Sequence, residues 1–175
     1  MSDHIETLLD VGRFRVVKHS VTLPDGSPAS VSYVVHPGSV AILPLVDADH
    51  LCLIRNRRLT VGQTIVEVPA GTREPNEPPL ETARRELEEE TGYRAANWEE
   101  LTQFYASPGI LSERMHIYVA RDLTPGPPCR EANEEIENLV LSWDEALAMV
   151  DRGEIVDGKT IVALLAFERR RKQPT

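Results

Sequence analysis

The chain has 175 residues, of which 41% are hydrophobic and 27% are charged, and its formal net charge is −9. This length and composition favour one globular domain, or a domain with a small appendage, that buries a core without disulfides or structural metal. The acidic balance excludes the basic surface that nucleic-acid binding needs, and no apolar run approaches the ~20 residues that span a bilayer.

The cysteines and the first residues indicate the compartment. Cys52 lies in an apolar run and Cys129 follows two prolines, and neither has the spacing of a metal-binding or redox motif. Residues 1–6 lack the basic and apolar segments of a signal peptide. We therefore expect a reduced, cytoplasmic protein.

The first predicted elements form an antiparallel β unit. Residues 13–17 and 30–35 are rich in β-branched and aromatic side chains, and residues 23–27 between them contain the turn signal Pro-Asp-Gly. His36-Pro37-Gly38 then interrupts the pattern. The sequence predicts a small N-terminal β unit over residues 1–37 and a main domain over residues 38–175.

The main domain mixes strands with helices. The predicted strands span residues 39–46, 50–57, 64–68, 98–105, 115–120 and 138–142. Pro78-Pro79 opens a helix that ends at Gly92, because proline suits a first helical turn and glycine is favoured just past the last one. A Pro- and Glu-rich loop follows at 121–135, and two further helices are predicted at 143–152 and 159–171. This mixture predicts an α+β fold.

Glutamates of the first predicted helix share one face. At about 100° per residue, Glu86, Glu89 and Glu90 lie within an arc of about 100°, whereas Glu88 points to the opposite side. The apolar side chains of the helix lie beside this arc, so the carboxylates crowd against the buried seam and need a counter-charge. Mg²⁺ fits that role beside substrate phosphates. The alternative is an exposed helix stabilised by pairs such as Arg85–Glu89.

These glutamates belong to a longer pattern over residues 71–93. It runs from Gly71 through Glu77 to the segment Arg85-Glu86-Leu87-Glu88-Glu89-Glu90-Thr91-Gly92-Tyr93. The pattern resembles the Nudix box, G-x5-E-x7-R-E-U-x-E-E-x-G-U, where U is a bulky aliphatic residue. Eight of the nine specified positions match, and Tyr93 replaces the last aliphatic. The resemblance implies a hydrolase with the Nudix fold, an α/β/α sandwich around a mixed β-sheet.

Segments outside the box resemble the ADP-ribose pyrophosphatase branch of the Nudix family. Residues 66–71 are similar to its E-x-P-A-G lead-in, and Ser107-Pro108-Gly109 is similar to its S-P-G loop. Residues 53–58 resemble its R-Q-aromatic-R strand end, although Asn56 replaces the glutamine and Arg57 replaces the aromatic residue. The β-rich N-terminus also resembles this branch, in which such a segment supports a homodimer.

The resemblance implies roles for particular residues. Glu86, Glu89 and Glu90 would bind Mg²⁺, or Mn²⁺ in its place, together with the backbone carbonyl of Ala70, and Arg85 would orient the glutamates by ion pairing. The implied substrate-binding positions are Arg55, Arg58, Glu67, Pro108 and Glu113. A general base can come from the loop before the last strand, where Glu134 is the predicted residue and Glu131 or Glu135 are its alternatives.

The predicted reaction is hydrolysis of the diphosphate bond of ADP-ribose to AMP and ribose 5-phosphate. GDP-mannose or ADP-glucose is the alternative substrate, because Arg57 stands where the branch has an aromatic residue that could stack on the base. An alternative of another class is a non-catalytic domain that senses a nucleotide. The intact set of glutamates disfavours that alternative. The expected partners are thus a small-molecule nucleoside diphosphate sugar and a second copy of the chain.

Overall fold

The computed structural model describes residues 4–130 and 135–173. Its strands are β1 (His4–Asp10), β2 (Arg15–Thr22), β3 (Pro28–Val35), β4 (Ser39–Pro44), β5 (His50–Arg58), β6 (Gln63–Glu67), β7 (Ala70–Thr72), β8 (Arg94–Tyr105), β9 (Arg114–Thr124) and β10 (Ile136–Ser142). Its helices are α1 (Pro79–Thr91), α2 (Trp143–Asp151) and α3 (Gly158–Arg171). The predicted α+β class is confirmed.

The chain divides into two compact units. Unit 1 comprises Met1–Gly38 and Phe104–Met115, and unit 2 comprises Ser39–Gln103 and His116–Thr175. The break after Gly38 follows the His36-Pro37-Gly38 turn. The second segment of unit 1 comes from the middle of the chain, where the sequence carries no comparable boundary signal.

An antiparallel sheet in the order β1-β2-β3 forms most of unit 1. The predicted turn between β2 and β3 is present, and Gly26 adopts the left-handed φ of +84° that favours glycine at such a position. Leu111 forms a parallel bridge to Val34, which attaches the second segment of the unit to β3. Strand β1 was not predicted, because its seven residues are all exposed and leave no alternating pattern.

Unit 2 contains sheets in the orders β7-β4-β9-β8 and β10-β5-β6. All six residues of β4 are buried, as expected for a strand covered on both faces. Val40 and Ile42 of β4 pack with Ala83 and Leu87 of α1, and α3 also contacts β4. This packing on β4 fixes the orientation of α1. Truncating Leu87 to alanine would lower the free energy of unfolding by about 2–5 kcal/mol.

Helix α1 begins and ends as the sequence predicts. Pro78 is its N-cap and Pro79 its first residue, where the missing N–H has no intrahelical partner to lose. Gly92 ends it with φ +79°, and its N–H donates to Glu88 O at 2.9 Å. A Cβ at Gly92 would lie 2.2 Å from Gly126 O, so both conformation and space require glycine there.

The two C-terminal helices also occur where they were predicted. Ser142 caps α2 by accepting from Glu145 N, and Asp157 caps α3 by accepting from Thr160 N. Ala163, Leu164 and Phe167 form the buried face of α3. Among the described residues, no helix is long and apolar enough to cross a membrane.

Some strand boundaries differ from the predictions. β8 begins at Arg94 rather than at residue 98, and β9 continues to Thr124 beyond the predicted end at residue 120. Strand β7 was not predicted, because a three-residue segment containing Gly71 has little intrinsic β propensity. Its extended conformation comes from pairing with β4, with Thr72 opposite Ser39 and Ala70 opposite Ala41.

Candidate active site

Arg85 lies among the carboxylates on the acidic face of α1. Its Nη1 donates to Glu86 Oε1 at 2.7 Å and to Glu89 Oε2 at 2.9 Å. Its Nε and Nη2 donate to the two carboxylate oxygens of Glu77, at 3.1 Å each. One guanidinium thus contacts three carboxylates, and negative charge remains in excess around it. The orienting role of Arg85 in catalysis stays a prediction.

Glu77 joins the loop before α1 to this group. Its Oε2 also accepts from Thr82 Oγ1 at 2.8 Å and from Glu74 N at 3.1 Å. Its hydrogen bonds to Arg85 lower the pKa of Glu77 to about 2, and the same contacts raise the pKa of Arg85. Both groups are therefore ionised at neutral pH, and the loop is tied to the helix by charge-assisted bonds.

Strand β7 passes close to α1 because its residues have small side chains. A Cβ built on Gly71 would lie 1.9 Å from Glu86 Cδ, so only glycine leaves room for that carboxylate. Ala70 N donates to Glu90 Oε2 at 2.9 Å. Glu90 is only 3% exposed. The backbone of β7 and the predicted metal-binding glutamates therefore lie in one compact region of unit 2.

The donor set of this region fits a hard divalent cation. Glu86, Glu89 and Glu90 supply carboxylate oxygens. Ala70, whose N–H donates to Glu90, also has a backbone carbonyl oxygen. Such oxygens are the ligands that Mg²⁺ and similar ions prefer. Among residues 4–130 and 135–173, no three His, Cys, Asp or Glu side chains lie in an arrangement that could already hold a metal ion. The Glu86 and Glu89 carboxylates instead contact Arg85, so a bound cation would replace part of these hydrogen bonds.

Glu88 takes no part in this group. Its carboxylate forms an ion pair with Arg94, and this hydrogen bond lowers the pKa of Glu88. The helical geometry predicted this separation from Glu86, Glu89 and Glu90, and the contacts agree with it.

A second charged group surrounds Glu67, which is 0% exposed at the end of β6. Arg58 donates to it from Nε at 2.7 Å and from Nη2 at 2.6 Å, and Lys159 Nζ donates to Oε2 at 2.6 Å. The hydrogen bonds to Glu67 raise the pKa of Arg58. Two of the predicted substrate-binding residues, Arg58 and Glu67, are thus direct partners. Lys159 was missed, because nothing in its local sequence indicates a contact 92 residues away.

Arg55 does not join Arg58 in this group. Successive side chains of a strand point to opposite faces, so Arg55 and Arg58, three positions apart on β5, project to different sides. Arg55 and Arg57 are both exposed, while Asn56 between them is buried. A role for Arg55 at the substrate stays a prediction.

Pro108 and Glu113 belong to unit 1, whereas the glutamates of α1 belong to unit 2. Pro108 lies in a tight turn in which Ile110 N donates to Ser107 O at 3.0 Å. Glu113 Oε1 lies 3.6 Å from Nδ1 of His36. Their predicted contacts with the substrate stay predictions.

The predicted general base, Glu134, and its alternative Glu131 lie outside the described residues. Glu135 is described and exposed, and its carbonyl accepts from Arg57 N at 3.2 Å. The assignment among these glutamates stays a prediction.

Residues on both sides of that loop contact the last turn of α1. Cys129 N donates to Glu89 O at 2.9 Å, and Arg130 Nε donates to Glu90 O at 2.9 Å. Asn138 Nδ2 donates to the carbonyl of Thr91 at 2.8 Å. These bonds satisfy carbonyls that a helix end leaves without intrahelical partners. No local pattern in the sequence indicates these bonds, because each joins positions far apart in the chain.

The match to known proteins covers both the box and the strands around it. Residues 35–164 match the NUDIX domain family. The chain belongs to this family. It is 39% identical to the ADP-ribose pyrophosphatase of Bacillus subtilis, over 82% of this chain and 79% of that protein. It is 37% identical to the methanol dehydrogenase activator of Bacillus methanolicus, over 86% of this chain and 84% of that protein.

A solved structure agrees with the fold. The structure described as an ADP compounds hydrolase superposes with a TM-score of 0.85 and covers 98% of this chain and 94% of its own, at 24% identity. This superposition confirms the predicted Nudix fold, and the match of residues 35–164 confirms the predicted Nudix family. Hydrolases of this family generally depend on a divalent metal, in agreement with the donor set around α1 and β7.

Proposed function

We propose that this chain hydrolyses the diphosphate bond of ADP-ribose and releases AMP and ribose 5-phosphate. The observation that carries the proposal is the set of Nudix-box carboxylates, with Glu86 and Glu89 on Arg85 and Glu90 on the amide of Ala70. The name of the Bacillus subtilis relative supports ADP-ribose as the substrate.

The metal site consists of Glu86, Glu89, Glu90 and the carbonyl of Ala70, and Mg²⁺ is the proposed cation, with Mn²⁺ as the alternative. When bound, such an ion stabilises charge on phosphoryl oxygens and lowers the pKa of a bound water. The chain supplies the excess of carboxylates that attracts the cation. Arg85 keeps Glu86 and Glu89 side by side through its Nη1 contacts, so they are ordered before a cation binds.

The positive charge that meets the diphosphate comes from Arg58. Its guanidinium holds Glu67 through Nε and Nη2, and its side chain is 40% exposed. A guanidinium has five N–H donors, so a carboxylate on one side leaves donors for a phosphate on the other. Arg55, Pro108 and Glu113 remain proposed further substrate contacts.

Removal of a proton from the attacking water requires a general base. Glu134 is the proposed residue, and Glu131 and Glu135 are the alternatives on the same loop. General-base action contributes about 10²–10⁴-fold to rate. Replacing each glutamate by glutamine in turn identifies the base as the variant with the largest loss of kcat.

A substrate panel tests the proposal. The purified chain is assayed with ADP-ribose, GDP-mannose and ADP-glucose in the presence of Mg²⁺, and the released products are identified. We expect the highest kcat/KM with ADP-ribose and equal amounts of AMP and ribose 5-phosphate. Negligible ADP-ribose cleavage beside strong GDP-mannose cleavage would refute the substrate assignment and favour the alternative raised by Arg57.

A second candidate function is regulation of a partner protein. It is favoured by the name of the Bacillus methanolicus relative, a methanol dehydrogenase activator. The two functions differ in their need for the box, because a purely sensing domain requires no cleavage. If Glu89→Gln left activity toward every tested substrate unchanged, the sensing function would gain and the metal assignment would fail.

The N-terminal β unit, residues 1–37, is the proposed dimerisation element beside a hydrolase domain of residues 38–175. Ile5, His19 and Val31 are directly paired neighbours across β1, β2 and β3. Ile5 is 55% exposed and Val31 48% exposed. Apolar side chains on a three-stranded sheet need a cover, and a second copy of the chain is the proposed one. A cytoplasmic location remains the proposal from the two free cysteines.

A further inference from the structure

The first turn of α3 contacts the buried carboxylate that Arg58 holds. Lys159 Nζ donates to Glu67 Oε2 at 2.6 Å, on the oxygen that also accepts from Arg58 Nη2. Lys159 is 12% exposed in its side chain and donates a second bond to Asp157 Oδ1 at 3.0 Å. Glu67 therefore has two cationic partners, Arg58 from β5 and Lys159 from α3.

This sharing fixes the geometry of Arg58. Glu67 Oε2 accepts from both Lys159 Nζ and Arg58 Nη2, and Lys159 also pairs with Asp157. The Arg58 guanidinium is thus held in a bidentate geometry within a group of two cations and two carboxylates. Loss of Lys159 would leave Glu67 with Arg58 as its one cationic partner among the described contacts.

The same turn also holds the backbone beside Glu67. Val68 N donates to Thr160 Oγ1 at 2.8 Å, and Thr160 Oγ1 in turn donates to Asp157 Oδ2. Asp157 is the N-cap of α3, so one residue anchors both Lys159 and Thr160. The start of α3 is thus connected to the segment that leads into Ala70 and the metal site.

We propose that Lys159 is a positioning residue for diphosphate binding. By holding Glu67 in place, it fixes the Arg58 guanidinium, whose remaining N–H donors are left for the phosphates of the substrate. The inference rests on the proposed function, in which Arg58 contacts the diphosphate. Lys159 itself needs no contact with the substrate.

The test compares Lys159→Met with Lys159→Arg in the full chain. KM and kcat for ADP-ribose are measured with Mg²⁺, and the Kd for ADP-ribose is measured by calorimetry in EDTA, where turnover is prevented. Lys159→Met should raise KM and Kd about tenfold and change kcat less than about twofold, because substrate binding is weakened and the chemical step is not. Lys159→Arg keeps the charge and should recover most of the affinity.

Lys172→Met is the matched control, because Lys172 is the C-cap of the same helix, at the end opposite Lys159, and its 75% exposed side chain pairs with Glu168. It should leave KM, kcat and Kd unchanged. A double-mutant cycle with Arg58→Met isolates the route of the effect. Adding Lys159→Met to Arg58→Met should weaken binding little further, since Lys159 acts through Arg58.

Several results would overturn the inference. Unchanged KM and Kd in Lys159→Met would do so, and so would a fall in kcat and Tm at constant KM, which indicates a purely structural role. Fully additive effects in the cycle would exclude action through Arg58. If Lys159→Met does not fold, Lys159→Gln carries the same measurements. Failure of the wild type to hydrolyse ADP-ribose would refute the proposed function instead. The Kd for ADP-ribose in EDTA would still test the positioning role of Lys159.

Discussion

Replacing Gly71 by alanine separates catalysis from folding at this site. The added Cβ would lie 1.9 Å from Cδ and Oε1 of Glu86 and 2.4 Å from its Oε2, whereas ordinary contact begins at 3.4 Å. The carboxylate must therefore withdraw by about 1.5 Å, the difference between 3.4 and 1.9 Å. It is the end of a flexible side chain on a helix, so the backbones of β7 and α1 can stay in place.

The expected loss is catalytic. A misplacement of about 1 Å can cost about 100-fold in rate, so kcat/KM of Gly71→Ala should fall by roughly that factor. The half-saturating Mg²⁺ concentration should rise, because Glu86 is a proposed ligand. The Tm should change by less than about 4 °C, which corresponds to about 1 kcal/mol for a chain of this size. Kinetics over a Mg²⁺ series and calorimetry measure the two effects separately.

Two other glycines provide controls for the same substitution. Gly158→Ala places its methyl group in open space, and activity and Tm should be retained. Gly92→Ala meets a backbone oxygen at 2.2 Å with φ +79°, so it should lower Tm markedly. Activity of Gly71→Ala within about threefold of wild type would contradict this role of the glycine. A loss of activity matched by a loss of Tm like that of Gly92→Ala would contradict it as well.

Three further substitutions test other parts of the site and the dimer. Glu89→Gln should lower kcat by about 10²–10³-fold at an unchanged fold, because a charged metal ligand is lost; activity near wild type would contradict the metal assignment. Glu77 has a pKa lowered from 4.5 to about 2 by Arg85, so its contribution to stability is present above pH 4.5 and is lost as the pH falls toward 2. Urea unfolding should therefore show Glu77→Gln less stable than wild type near neutral pH, with the gap narrowing in acid; a constant gap would argue against this ion pair. Ile5→Asp should convert the proposed dimer to a monomer in sedimentation velocity, and a wild type that is already monomeric would refute the dimer.

The sequence predicted most of what depends on local patterns. The limits of α1 followed from Pro79 and Gly92, and the grouping of Glu86 with Glu89 and Glu90 followed from helical periodicity. The separation of Glu88 followed in the same way. These features depend on residues within one or two helical turns of each other, which is the range over which local rules hold.

The remainder depends on contacts between distant segments. All seven residues of β1 are exposed, and β7 is extended because β4 pairs with it. Lys159 reaches Glu67 across 92 positions, and no local pattern marks either residue as the partner of the other. The arginines 55, 57 and 58 form one cluster in sequence, but strand geometry divides them between two faces.

Cleavage of ADP-ribose is proposed to depend on a divalent metal held by the carboxylates of α1. The most direct measurement is hydrolysis of ADP-ribose by the purified chain as Mg²⁺ is titrated from an EDTA-treated preparation, with AMP and ribose 5-phosphate quantified. We expect activity that is absent in EDTA, rises with Mg²⁺ and yields the two products in equal amounts. Cleavage that is unaffected by EDTA, or no cleavage at any Mg²⁺ or Mn²⁺ concentration, would contradict it.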